Sequence, residues 1–123
     1  MGQDINSLLI YGTIFTVEEI KKVMKLFGIT DEDIDDSFFD AFDNFCKNVK
    51  IEFPSLYVEH ASPYYDSEWE DWTIYVSMID PYDTEIYPED LNVDESIKRE
   101  YENFISKFKN VEKASLYSIP HVW

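Results

Sequence analysis

Four kinds of residue in this chain could do chemistry: a run of closely spaced carboxylates, one cysteine, two histidines, and tyrosines and tryptophans set among acids. Asp31, Asp33 and Asp35 recur at alternate positions, as oxygen ligands do at the opening of a calcium loop. Such a loop needs Gly at its sixth position and a bidentate Glu at its twelfth. Here those positions hold Asp36 and Phe42, so no dedicated calcium site is expected. Cys46 could serve as a nucleophile with His60 or His121 as its base. It lies on the flank of an aromatic stripe, however, and neither histidine stands in a local catalytic motif, so a packed thiol is expected. His60, on a strand beside Glu59, reads as a structural residue. One cysteine and two distant histidines do not have zinc spacing. Three glycines, Gly2, Gly12 and Gly28, make no phosphate loop, and 26 acids offer too many carboxylate pairs to single one out for glycoside chemistry. No catalytic residue, metal or cofactor is expected.

The carboxylates themselves carry more. In Asp31–Asp43 (DEDIDDSFFDAFD), helical spacing puts Ile34, Phe38, Ala41, Phe42, Phe45 and Val49 on one apolar stripe. Asp33, Asp36, Asp40 and Asp43 fall on the opposite side. Carboxylates three or four positions apart on a helix lie roughly 5 to 6 Å apart along its axis, and like charges at that spacing repel by a few tenths of a kcal/mol per pair. Asp31, Glu32 and Asp33 suit a helix N-terminus; Asp40 and Asp43 gain nothing from it. A second acidic stretch, Pro63–Glu70 followed by Asp71, sets Tyr64, Tyr65 and Trp69 among Asp66, Glu68, Glu70 and Asp71. Aromatic anchors ringed by charge are the usual composition of an interface hot spot. Together these eleven residues form the expected partner-binding set.

The elements that must position them can be read in order. Ser7–Phe15 reads as a buried strand with Gly12 as a bulge. Thr16 and Glu19 form a capping box, Phe15 and Ile20 a hydrophobic staple, and Gly28 stops the helix that follows. Thr30 with Asp33 repeats the capping pattern and opens the acidic helix, which runs to about Asn48. Val49–Ser62 and Asp71–Asp80 read as paired strands, with Trp72, Ile74, Val76 and Met78 on one face of the second. Asn92 or Asp94 caps a third helix whose stripe is Ile97, Tyr101, Phe104, Ile105 and Phe108, ending near Asn110. Ala114–Ile119 closes the sheet, ended by Pro120. The order β-α-α-β-β-α-β predicts a single α+β domain over residues 1–123, three helices on one face of a small, mostly antiparallel sheet.

Composition bounds the partner. The chain has 123 residues and a net charge of −16, with nine Phe, nine Tyr and three Trp, so the charge must sit on a folded surface. All ten Lys and Arg lie in Lys21–Lys50 or Lys98–Lys113, and the thirteen acids of 51–97 have no such cation near them in sequence. Their self-repulsion is relieved by a cationic partner. Direct nucleic-acid contact is disfavoured, and no apolar run reaches the ~20 residues of a membrane span. A single cysteine and the absence of a basic, apolar leader predict the cytosol. In size, charge and lack of a catalytic motif the chain resembles small acidic proteins that occupy the nucleic-acid site of a basic enzyme, such as phage-encoded inhibitors of restriction or CRISPR nucleases. That resemblance implies a stoichiometric blocker acting by DNA mimicry on a basic, nucleic-acid-binding protein. An immunity or antitoxin-type protein against a basic toxin nuclease has the same charge. A small enzyme with an acidic metal-dependent pocket and a structural protein of a phage particle are the other readings.

Overall fold

The computed structural model describes residues 5–62, 68–82, 92–107 and 114–122. The element order is β1 (Ile5–Phe15), α1 (Val17–Leu26), α2 (Asp31–Asp36), α3 (Phe38–Glu52), β2 (Tyr57–Ala61), a single 3-10 turn (Trp69–Asp71), β3 (Thr73–Ser77), α4 (Glu95–Ser106) and β4 (Ser115–Val122). The strands form one antiparallel sheet in the order β2-β3-β1-β4. This is the expected α+β architecture, with the second helix divided in two.

Helix ends follow their local chemistry. At the start of α1 the Thr16 hydroxyl accepts from the Glu19 N–H while the Glu19 carboxylate accepts from the Thr16 N–H. At its end Gly28 adopts φ +88°, a left-handed conformation that costs other residues, and the Gly28 and Ile29 N–H groups donate to the Lys25 and Met24 carbonyls. Asp94 occupies the N-cap of α4, but its side chain makes no capping bond.

The division at Ser37 is the main departure from the sequence pattern. Ser37 sits in an extended conformation (φ −160°, ψ 104°), closing α2 with its N–H on the Asp33 carbonyl and opening α3 with its hydroxyl accepting from the Asp40 N–H. A serine that caps well breaks a helix that periodicity alone would continue. The α3 helix then runs past Asn48 to Glu52, because Val49 continues the Phe45 stripe, and Phe53-Pro54 ends it. The first strand of the expected pair is accordingly shorter than Val49–Ser62.

Two clusters fill the sheet's faces. The larger lies under the helices and joins Ile34, Phe38, Phe42, Phe45 and Val49 to Ile74 and Val76 of β3. Thr13 of β1 and Tyr101 of α4 share a buried hydrogen bond within this layer. The smaller joins Leu8, Ile10, Ala61, Tyr75 and Ile119 on the opposite face. That face is buried because the sheet coils: the outer strands β2 and β4 meet, and the Ser62 N–H donates to His121 Nδ1 at 3.0 Å. Both ladders run through Gly12, where a Cβ would stand 2.0 Å from the Val76 carbonyl oxygen, so close backbone approach, not a bulge, requires glycine there. Pro120 does not end β4; it pairs with Ser7 inside an edge strand, where a missing N–H is tolerated. Phe108 and Asn110 lie outside the described residues.

Phe42 is buried against His60 of β2 and Trp72 just before β3, besides Phe38 and Phe45 of its own helix. Phe42→Ala should destabilise the domain by roughly 3 to 5 kcal/mol. Urea denaturation monitored by circular dichroism measures this, and an unchanged midpoint would show that the ring is not in the core.

Candidate partner-binding surface

One stacked ring pair unites the two acidic stretches. Trp69, from the 3-10 turn, lies on Phe38 of α3 with ring centroids 4.0 Å apart and planes 13° from parallel. Lys21 of α1 stands over the same indole at 5.4 Å. Trp69 is therefore a clamp folded onto the helix layer, not a projecting anchor. Its neighbours Glu68, Glu70 and Asp71 are held beside the α2–α3 junction, all exposed. A depression of about 370 Å³ is lined jointly by Ser37, Phe38 and Phe39 of the first stretch, Glu68, Trp69 and Glu70 of the second, and Trp72, so the two stretches adjoin at the start of α3.

The expected row Asp33, Asp36, Asp40 and Asp43 is not continuous, since the break at Ser37 leaves the first two on α2 and the others on α3. Their states also differ. The Asp33 carboxylate accepts from the Thr30 N–H, which with the Thr30 hydroxyl holds its pKa below the usual carboxylate value. Asp43 is 3.0 Å from Lys47 Nζ, and Asp31 is 2.7 Å from Lys25 Nζ. Asp36 and Asp40 are exposed, with Asp40 contributing its backbone N–H to the Ser37 cap. Tyr64, Tyr65 and Asp66 lie outside the described residues.

The residue that helical periodicity passes over is Phe39. It is 64% exposed and meets Trp72 edge-on at 5.9 Å. On the Phe38–Phe42–Phe45 stripe it falls one step, 100°, out of phase, and a large apolar side chain at an out-of-phase position was the available signal. Phe39 and Trp72 also border a second, deeper cleft of about 470 Å³ between α3 and the edge strand β2, where Asp43 and Glu59 stand on the rim with Lys47 and Lys50.

Inside that cleft Cys46 and His60 are held by packing and do not meet as a nucleophile and base pair. Half-buried Cys46 donates through Sγ to the Val58 carbonyl at 3.3 Å, and burial, with the charges of Asp43 and Glu59, pushes its pKa up to about 12. His60 does not pair with Glu59; it stacks on Trp72 at 3.7 Å and meets Phe42 edge-on. Burial, with a smaller contribution from His121, lowers its pKa to about 4. Glu59 instead accepts from the Tyr75 hydroxyl at 3.1 Å, and burial raises the pKa of that phenol. Among the described residues no three His, Cys, Asp or Glu are grouped to hold a metal ion. Nor is any helix there long and apolar enough to cross a membrane. Compared with protein-family models, curated proteins and solved structures, the chain matches none.

The stacked His60 has a pH signature. Unfolded, it takes up a proton near its ordinary 6.5; folded, only near 4. Between those values the unfolded state binds more protons, so His60 lowers stability as pH falls from about 6.5 to about 4 and has no effect above. His60→Phe, which keeps a ring against Trp72, should gain stability relative to the native chain across that window. Parallel denaturation midpoints of the two proteins from pH 7 to pH 4.5 would contradict the assignment.

Proposed function

We propose that this chain is a non-enzymatic, cytoplasmic binding protein that blocks a basic, nucleic-acid-binding protein by DNA mimicry, in the manner of a phage-type inhibitor of restriction or CRISPR nucleases. The observation that carries the reading is the Phe38–Trp69 stack, which sets the 3-10 turn, with its exposed Glu68 and Glu70, against the start of α3 beside Ser37. Duplex DNA presents about one negative charge per 1.7 Å of axis to the Lys and Arg array of its binding protein. Asp36, Asp40, Glu68, Glu70 and Asp71 stand in for those phosphates, on a scaffold whose net charge of −16 adds long-range steering toward a basic cleft.

The acids that act this way are those without a structural task. Asp33 caps its own helix, and Asp43 is paired with Lys47, so both contribute less than the exposed Asp36 and Asp40. Ion pairs as exposed as Asp43–Lys47 are worth at most about 1 kcal/mol, so Asp43 becomes available when a stronger cation approaches.

The test is competition. Immobilised chain should capture basic DNA-binding proteins from a bacterial lysate and release them to duplex DNA at constant ionic strength. Asp36→Lys, Asp40→Lys and Glu70→Lys together should weaken capture at least tenfold, with a melting temperature within a few degrees of native because all three side chains face water. Capture indifferent to DNA and to the triple reversal would refute the mimicry.

A further inference from the structure

Resting on that reading, we infer that the basic partner anchors through an arginine side chain laid against the Phe39–Trp72 pair. Three lysines of this chain already stand over rings: Lys21 over Trp69 at 5.4 Å, Lys50 over Tyr57 at 5.2 Å and Lys107 over Phe53 at 5.9 Å. Among the described residues no cation of the chain stands over Phe39 or Trp72. This is also where the most exposed ring of the acidic surface projects. The aromatic faces nearest the chain's own cations are taken, whereas Phe39 is largely exposed and Trp72, stacked on one face by His60, is exposed in part beside it.

The geometry favours arginine over lysine. Phe39 and Trp72 form the ridge between the two concavities, with Glu68 and Glu70 lining one side and Asp43 and Glu59 the other. A guanidinium is planar, packs on a ring, and still offers its fork of N–H donors to carboxylates at its edge. An ammonium is compact and strongly hydrated, and gives up more water to sit against the same ridge. Phe39 itself is held by α3, whose first turn is fixed by the Ser37 cap and whose next turn places Phe42 in the core. An incoming side chain therefore meets a rigid edge, not a floppy ring. Lys47 and Lys50 also line the deeper cleft, where Lys47 pairs with Asp43 at 3.0 Å and Glu59 accepts from Tyr75. Among the described residues, the carboxylates beside the ridge that are not engaged in this way are those of Glu68 and Glu70 on its other side.

The probes are two N-acetylated eight-residue homopeptides, one of arginine and one of lysine, titrated against the full chain in 50 mM salt with tryptophan emission as the readout. Both should bind, and arginine should bind about three- to fivefold more tightly, the advantage of an exposed cation–π contact. Phe39→Ala, at an exposed position, should keep the native melting temperature and the lysine-peptide affinity while bringing the arginine-to-lysine ratio close to one. Equal affinities in the native chain, or a ratio that survives Phe39→Ala, would overturn the arginine anchor and leave the acidic surface standing. Failure of both peptides to bind would overturn the acidic-surface reading itself.

Discussion

The ring of Phe42 is the contact on which the most of this structure depends. It touches Phe38 and Phe45 along its own helix, His60 of β2, and Trp72 at the mouth of β3. From it an unbroken series of rings runs one way through Phe45, Phe27 and Phe104 to Phe15 of β1, and the other way through Phe38 to Trp69. Helices, sheet and the acidic 3-10 turn are thus joined by apolar contact across their full extent. Contacts between hydrocarbon rings do not rely on ionised groups, which suits a chain of net charge −16 whose excess carboxylates repel one another.

That division of labour explains where individual charges sit. Acids that serve the fold do so locally: Glu19 and Asp33 close capping boxes, and Glu100 accepts from the Ser55 N–H at 3.1 Å. Basic residues are spent at helix ends or over rings, as with Lys25 at the end of α1 and Lys107 between Glu52 and Phe53. The exposed charge that remains is mostly acidic, with Lys22 and Arg99 among the exceptions, and Glu68, Glu70 and Asp71 stand at the 3-10 turn. The nearness of the 3-10 turn to the start of α3 is a consequence of folding, because Phe38 and Trp69 are far apart in sequence and meet only through their stack.

Much of this was legible from residue pattern, and the failures share a cause. The capping box at Thr16, the stop at Gly28 and the stripe Ile34–Phe38–Phe42–Phe45–Val49 depend on interactions within a few residues, and they stand as expected. Ser37 was misjudged because periodicity counts apolar positions and is blind to a hydroxyl whose capping bonds compete with the helix. Phe39 was overlooked because the same periodicity assigns aromatic residues to the core by default. His60 is structural as read, but its neighbour is set by a tertiary contact, the stack on Trp72, that no local spacing announces. The coiling of the sheet, which buries Tyr75 and Ile119 without a helix over them among the described residues, is likewise set by strand order and is invisible in any single strand.

The free edge of the sheet constrains how a partner can be met. An edge strand offers unpaired backbone groups and invites strand addition. Here β2 pairs with β3 alone, yet its outer side is already engaged: the Val58 carbonyl accepts from Cys46 Sγ, and just beyond the strand the Ser62 N–H is held by His121. Both contacts depend on neutral side chains, and both groups are neutral at physiological pH, since the Cys46 pKa is raised and that of His121 lowered, each chiefly by burial. With these groups engaged, the β2 edge is poorly placed to recruit another strand. On the proposed reading, recognition rests instead on side chains, and those that project at the cleft include Phe39 and Tyr82 with Asp43 and Lys47. A rigid helix start that presents one ring among fixed acids keeps the ordering cost of binding low, because its backbone is already capped and its neighbouring ring is already buried.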